Sequence, residues 1–280
     1  MQKIAIIGAA GKMGTRISTM LQDDPAYQLL HVEADERGEA KLRERGAEPT
    51  PKEQAVREAD VVVLAVPDTL IGPVARDIVP GLKPGAMVMC LDPAAPYAGE
   101  LPERGDITYF LTHPSHPPLF QDEPDADARR DYWGFGKAKQ SVVNSLIQGP
   151  EEHYAKGEAI AKKMFRPILR SHRCTLEQMA ILEPVLSETV ALTCIDVMRE
   201  GMNEAVRRGV PPEAARDFLL GHINVEMAIW FGELDWQPSA GAMQVLEEAK
   251  KQLLKPDWQE VFEPERIKKS VRSIVSGTKS

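Results

Sequence analysis

Cysteine is scarce: the 280-residue chain has three, Cys90, Cys174 and Cys194. Their number is odd and no two form C-x-x-C, which excludes a disulfide framework and a paired-cysteine redox or zinc motif. Reduced structural thiols in a cytoplasmic protein are the expectation. Long apolar runs are missing too. No stretch approaches the ~20 residues that span a bilayer, and the polar N-terminus, with strand residues from Lys3, does not read as a signal peptide. No membrane partner is expected. Runs of lysine and arginine are absent, and the formal net charge is −8. Bulk attraction to a polyanion is thereby excluded, so no nucleic-acid partner is expected. Internal repeats and low-complexity tracts are also lacking.

What is present is ordinary soluble-protein composition, 43% hydrophobic and 27% charged, in a length that suits one large or two ordinary domains. The chain is organised around Ile4–Gly14, I-A-I-I-G-A-A-G-K-M-G. Ile4–Ile7 reads as a buried strand, stopped by Gly8, with Gly11 and Gly14 following at spacings of three. Met13, Ile17, Met20 and Leu21 then form the stripe of an amphipathic helix. Strand, glycine turn and helix together predict a dinucleotide site. Gly11 lets the backbone approach a pyrophosphate, and the helix N-terminus offers free N–H groups and a positive dipole end.

A second strand is expected over Gln28–Ala34, with Glu33 and Asp35 at its end. A carboxylate there accepts hydrogen bonds from a ribose 2′-OH and repels a 2′-phosphate, which favours NAD over NADP. Glu33 is the first choice and Asp35 the fallback; Arg37 keeps NADP as the alternative. Asp60–Pro67 is continuously apolar after its first residue, as a strand buried on both faces requires. Val66-Pro67-Asp68 then lies at the carboxyl end of a central strand, where ligands of open α/β sheets bind. Helical segments are expected over Ala55–Ala59 and Ile71–Val79. Further strands are expected over Ala86–Leu91, ending at Asp92-Pro93, and Ile107–Leu111, ending at Thr112-His113-Pro114. A strand over Ser141–Ile147 and a helix over Glu151–Phe165 complete the expected order. The alternation predicts an α/β fold, a Rossmann-type doubly wound parallel sheet, over residues 1–172.

From Thr175 the texture becomes helical. Thr175-Leu-Glu-Gln178 matches a capping box, and Pro184 should kink or restart the helix that follows. Helices are expected to about Arg208, from Pro211 to about Phe231, and over Ala240–Leu254 and Pro264–Val275. Residues 173–280 are thus expected to form an all-α C-terminal domain.

Three groups carry candidate chemistry. Thr112–Phe120, T-H-P-S-H-P-P-L-F, puts His113 and His116 each before a proline, which predicts a rigid loop near the nicotinamide end of the sheet. Imidazole there suits proton transfer or metal ligation. Glu183, Glu188, His222 and Glu226 lie at helical spacings behind it and make a mixed nitrogen–oxygen set for a divalent ion. Lys137 and Lys139 follow the aromatic run Tyr132-Trp133-Gly134-Phe135-Gly136 and read either as a substrate-carboxylate site or as a solvated pair.

The first half resembles the Rossmann domain of β-hydroxyacid and 6-phosphogluconate dehydrogenases in Gly8, Gly11, Lys12-Met13-Gly14 and Val66-Pro67-Asp68. Those enzymes carry G-x-G-x-M-G; here the first two glycines stand one residue further apart. The helical half, from about Glu183 to Glu233, resembles the knotted domain of ketol-acid reductoisomerases. That family's D-x-x-x-E falls on Pro184 and Glu188, and its His-Glu pair on Gly221-His222, so histidine replaces an acid and zinc or a similar ion is favoured over magnesium. The whole chain, with D-P-A-A-P-Y-A at 92–98 and the H-P-S-H-P-P loop, resembles the D-apionate oxidoisomerase family.

The resemblance implies NAD-dependent oxidation of a branched sugar acid next to its carboxylate, followed by movement of a carbon substituent to the new carbonyl, giving 3-oxo-isoapionate. It implies Gly8, Gly11, Lys12, Met13, Gly14, Glu33 and Asp68 at the cofactor and His113 and His116 as catalytic residues. It implies His116, Glu188 and His222 as metal ligands, in a homodimer built through the helical domain. A simple 2- or 3-hydroxyacid dehydrogenase and an NAD-sensing protein without turnover are the alternatives.

Overall fold

Apolar residues at successive rather than alternating positions build the central strands, because both faces of the sheet are covered. The computed structural model describes residues 1–277. In chain order it has β1 (Gln2–Ile7), α1 (Lys12–Leu21), β2 (Tyr27–Val32), α2 (Glu36–Glu44), α3 (Lys52–Glu58), β3 (Val61–Leu64), α4 (Asp68–Ile78), β4 (Met87–Cys90) and α5 (Ala94–Tyr97). β5 (Thr108–Pro114), β6 (Gln140–Gln148), α6 (His153–Met164) and β7 (Ile168–Arg173) follow. Then come α7 (Leu176–Ala180), a π-helix (Ile181–Leu192), α8 (Thr193–Arg207), α9 (Pro212–Trp230), α10 (Ala240–Leu253) and α11 (Pro264–Ser276).

The strands form one sheet in the order β2-β1-β3-β4-β5-β6-β7. Every pairing is parallel except β5 with β6. Side chains at i and i+1 enter opposite cores. Ala5, Ile7, Val62, Leu64, Val88 and Cys90 pack on one face, and Ile4, Ile6, Val61, Val63, Met87 and Met89 on the other. The first core takes Ala55 and Val56 of α3 and Ile71, Ala75 and Ile78 of α4; the second takes Ile17 and Leu21 of α1 and Ile160, Ala161 and Met164 of α6. The sheet order reverses at β1, with β2 on one side and β3 on the other. The glycine turn after β1 therefore sits at a topological switch point.

Three elements differ from the sequence reading. β5 does not stop at Leu111: His113 pairs with Val143 and Pro114 with Val142 of the returning β6. Thr112–Pro114 thus belongs to the sheet, and the irregular segment starts at Ser115. α2 is too polar to show an apolar stripe, since only Gly38 and Leu42 are buried in it. β7 is an edge strand with no buried residue, so it lacks the apolar signal of the inner strands. The capping box at Thr175 forms with both of its hydrogen bonds. The α-helix from Leu176 passes into a π-helix at Ile181, and Pro184 lies inside that π-helix rather than at the change.

Two units are separately compact: Met1–Glu183 with the C-terminal stretch from Lys268, and Pro184–Ile267. In the second unit α8 packs along α9. No residue of α8 or α10 is buried, and in α9 only Ala215 is. Leu192, Ile195, Phe218, Trp230 and Phe231 are each more than half exposed.

Candidate active site

The glycine turn is built to hold backbone close to backbone. Gly8 has φ +83°, and a Cβ there would lie 2.5 Å from the carbonyl oxygen of Ala65, just after β3. A Cβ on Gly14 would lie 2.2 Å from the Gly8 oxygen, so α1 can meet the turn only with glycine at that position. Gly11 is the N-cap of α1 in an extended conformation, with no side-chain cap and no acid in the first turn. The first N–H groups of α1 are therefore available to an anion. These features fit a dinucleotide pyrophosphate.

Glu33 follows the last residue of β2. Its carboxylate accepts a hydrogen bond from the Ala10 N–H within the glycine turn, and the absent side chain of Gly38 leaves it room. Asp35 is committed elsewhere: it caps α2 by accepting from the Gly38 N–H at 2.8 Å. Of the two carboxylates at this strand end, Glu33 is the one that faces the turn; Arg37 is exposed. Met13 packs its side chain into the core beneath α1. Lys12 places its ammonium 3.8 Å from the centre of the Trp133 ring.

At the carboxyl edge of the sheet, four titratable side chains converge. Cys90 of β4 pairs with Leu111 of β5, so Asp92 and His113, each two residues further on, stand at one level. His113 Nδ1 lies 2.7 Å from the Leu91 carbonyl oxygen, and its Nε2 lies 3.4 Å from Glu183 Oε2. Asp68, the first residue of α4, completes the group. Burial raises the Asp68 carboxyl above its usual value; His113 opposes that and Glu183 adds to it. Burial and then the charge of Asp68 push Asp92 up to about 7. The Cys90 thiol behind them is pushed up to about 12 by burial and by Asp92, which keeps it unreactive.

His116 sits beside this group, its ring centre 6.3 Å from that of His113. Its φ of +59° is the sole positive value at a non-glycine residue among those described. Its ring stacks on Trp133 at 4.6 Å, and Nδ1 lies 3.2 Å from the Trp133 carbonyl oxygen. A carbonyl only accepts, so Nδ1 carries the hydrogen and Nε2 is left with its lone pair. Burial lowers the pKa of His116, which favours that neutral form.

The remaining predicted residues have other surroundings. Glu188 is exposed on the π-helix. His222 is exposed on α9, with Nδ1 2.8 Å from the Phe218 carbonyl oxygen and its ring stacked on Phe218. Among the described residues no group of three or more His, Cys, Asp or Glu side chains is disposed to hold a metal ion. Lys137 is taken up by an ion pair with Asp127 at 2.6 Å.

Sequence reasoning did not select Asp92 or Arg16 as site residues, and it placed Glu183 in the candidate metal set rather than beside His113. Asp92 was signalled only by strand register, which becomes visible once β4 and β5 are paired. Arg16 lies on the apolar side of α1 and is 2% exposed. Its guanidinium stacks near Phe135 and Phe165 and makes no hydrogen bond among the described residues. Lys12, Arg16 and Met20 recur every four residues along α1 and lie against Trp133, Phe135 and Gly136 in turn. The aromatic run that supports His116 thus rests on the helix that follows the glycine turn.

Comparison with known proteins places this arrangement. The family described as Phosphogluconate dehydrogenase (decarboxylating) C-term matches residues 121–275, and that described as NADP oxidoreductase coenzyme F420-dependent matches residues 3–93. The D-apionate oxidoisomerase of Cupriavidus necator is 53% identical over 98% of this chain and 99% of its own. That of Blautia hydrogenotrophica is 41% identical over 97% of this chain and 96% of its own. A crystal structure of a semialdehyde dehydrogenase NAD-binding protein from Cupriavidus necator, in complex with calcium and NAD, is 52% identical. It superposes with a TM-score of 0.95 over 98% of this chain and 99% of that one. An NADH-preferring ketol-acid reductoisomerase from an uncultured archaeon shares the fold, with a TM-score of 0.69 at 20% identity over 99% of this chain and 82% of its own. The chain belongs to the D-apionate oxidoisomerase family.

Proposed function

We propose that this protein is an NAD-dependent oxidoisomerase of D-apionate. It oxidises the hydroxyl next to the carboxylate, then moves a carbon substituent to the new carbonyl, giving 3-oxo-isoapionate. The observation that carries this reading is the likeness, at 53% identity over nearly the whole of both chains, to a D-apionate oxidoisomerase. NAD, when bound, accepts the hydride.

The chain's own residues supply the rest. Gly8, Gly11 and Gly14 shape the turn for the pyrophosphate, with Lys12 and Met13 opening the helix that receives it. Glu33 takes the adenosine ribose hydroxyls, and Asp68 lies on the nicotinamide side. His113 receives the hydroxyl proton at Nε2 and hands it to Glu183, 3.4 Å away. His116, held by Trp133, contacts the substrate.

The test is NADH formation at 340 nm on a panel of sugar acids. Turnover with D-apionate and formation of a rearranged product supports the reading. NADH with an unchanged carbon skeleton would instead make the protein a plain hydroxyacid dehydrogenase. Tight NAD binding with no turnover on any acid would make it a sensor.

A divalent ion, zinc or a similar metal, belongs to the same proposal, with His116, Glu188 and His222 as its donors. The calcium seen with NAD in the Cupriavidus necator protein supports a divalent cation, and two imidazoles with one carboxylate suit a transition metal better than calcium. No step is assigned to the ion, since no three-ligand group is formed among the described residues. Metal analysis should find about one ion per chain on this reading, and His116→Ala should lose it.

A homodimer through the helical unit is proposed on the exposed apolar side chains of α8 and α9. Light scattering on the purified protein tests it. A cytoplasmic location is inferred from the three unpaired cysteines, and cell fractionation tests that.

A further inference from the structure

Asp92 has no assigned part in the reading above, yet it stands at the centre of the charged group at the sheet edge. Strand register puts it level with His113. Its Oδ1 accepts the Ala94 N–H at 2.7 Å, which leaves Oδ2 as the oxygen that can carry a proton. The ionisable groups that act on Asp92 are Asp68 from α4, His113 from β5 and Glu183 from the π-helix, and Asp92 in turn acts on the Cys90 thiol of the strand before it. Asp68 and Glu183 oppose its ionisation, and His113 favours it. Two carboxyl groups held near each other in a desolvated place do not both ionise readily near neutral pH, so one keeps its proton.

We propose that Asp92 is the proton donor of the rearrangement step, giving its Oδ2 proton to the oxygen of the new carbonyl while the carbon substituent migrates. This rests on the oxidoisomerase reading. Oxidation needs only a base: the hydroxyl proton goes to His113 and leaves through Glu183, and the hydride goes to NAD. Rearrangement needs an acid and a base together. The neighbouring branched carbon loses its hydroxyl proton to His113 Nε2, and its C–O bond becomes a carbonyl. The bond from that carbon to the migrating substituent breaks, and a new bond forms to the carbon next to the carboxylate. The electron pair of the old carbonyl moves to its oxygen, which takes the proton from Asp92. Proton return from the His113 imidazolium then restores the Asp92 acid. No further oxidant or reductant enters, and one proton and one NADH are released per turnover.

The two steps are separated by Asp92→Asn. The amide keeps the shape of the acid but cannot give up a proton. First-turnover NADH, read at 340 nm, should fall by less than about tenfold, whereas rearranged product, read by NMR, should fall by about a hundredfold or more. The unrearranged 2-oxo acid should accumulate. Equal losses of NADH and rearranged product, or rearranged product formed in the wild-type ratio to NADH, would overturn the proposal.

Should the variant not fold, the wild type decides. Its rearrangement rate should fall with rising pH through about 7 while oxidation does not, and Asp68→Asn should move that limb to lower pH. Rearrangement that holds or rises above pH 7 would overturn the proposal equally. Wild-type protein that makes no NADH from the acid defeats the parent reading instead, a distinct result.

Discussion

His113 Nδ1 lies 2.7 Å from the carbonyl oxygen of Leu91, on the neighbouring strand end. That oxygen can only accept, so the tautomer is fixed and Nε2 is presented as the basic nitrogen. His113→Gln should therefore lower kcat for NADH formation by about 10²- to 10⁴-fold, with NAD affinity by calorimetry little changed. A matching loss of NAD affinity would show that the substitution damages the site rather than the chemistry.

Glu33, the residue proposed to hold the adenosine ribose, accepts a hydrogen bond from the Ala10 N–H of the glycine turn. Glu33→Gln removes the charge from that hydrogen bond and from the proposed ribose contact. NAD binding should weaken by about 1.5–3 kcal/mol, and discrimination against NADP should narrow. Unchanged affinity for both cofactors would point to a different carboxylate.

Gly14→Ala puts a methyl group against backbone that cannot move aside without opening the turn. The substitution should destabilise the protein by about 1–3 kcal/mol and abolish measurable NAD binding. Denaturant melts and calorimetry read the two effects separately.

Asp92 gives a stability signature of its own. Its carboxyl sits at about 7 in the fold against an ordinary 3.8. The neutral form favours folding, so this contribution is full below about pH 4 and lost as pH rises through 7. Asp92→Asn stays neutral throughout. Stability of the variant relative to wild type should grow between pH 4 and 7, on the order of 4 kcal/mol, and level off above. A difference that is flat across that window would contradict the raised carboxyl.

Among the described residues Arg16 makes no hydrogen bond; it is buried near two phenyl rings, and burial brings its guanidinium down to about 10 despite the nearby Asp131. A buried charge without a partner contributes little to stability. Arg16→Met should change it by less than about 1 kcal/mol or raise it. A loss of several kcal/mol would mean that the guanidinium is paired in solution.

The cofactor half was legible because its signals are local. Ile4–Ile7 and Val61–Leu64 are apolar at every position, and Gly8 and Gly14 mark close backbone contacts at a fixed spacing. α2 and β7 were not, since one buries little and the other nothing. Glu33 could be ranked above Asp35 only on position; the structure adds that Asp35 is spent on a helix cap. The H-P-S-H-P-P motif drew attention to His113 and His116 but hid their difference, because pairing with β6 makes one a strand residue and leaves the other at φ +59°. Asp92 and Glu183 lie 91 residues apart, and only the fold sets them around His113.

The most direct test of the account is turnover of D-apionate carrying ¹³C in its hydroxymethyl groups, with NAD, followed by NMR. The account predicts one NADH per acid consumed and a product in which a labelled substituent has moved to the carbon next to the carboxylate. NADH formed with every labelled carbon still on its original neighbour would contradict it.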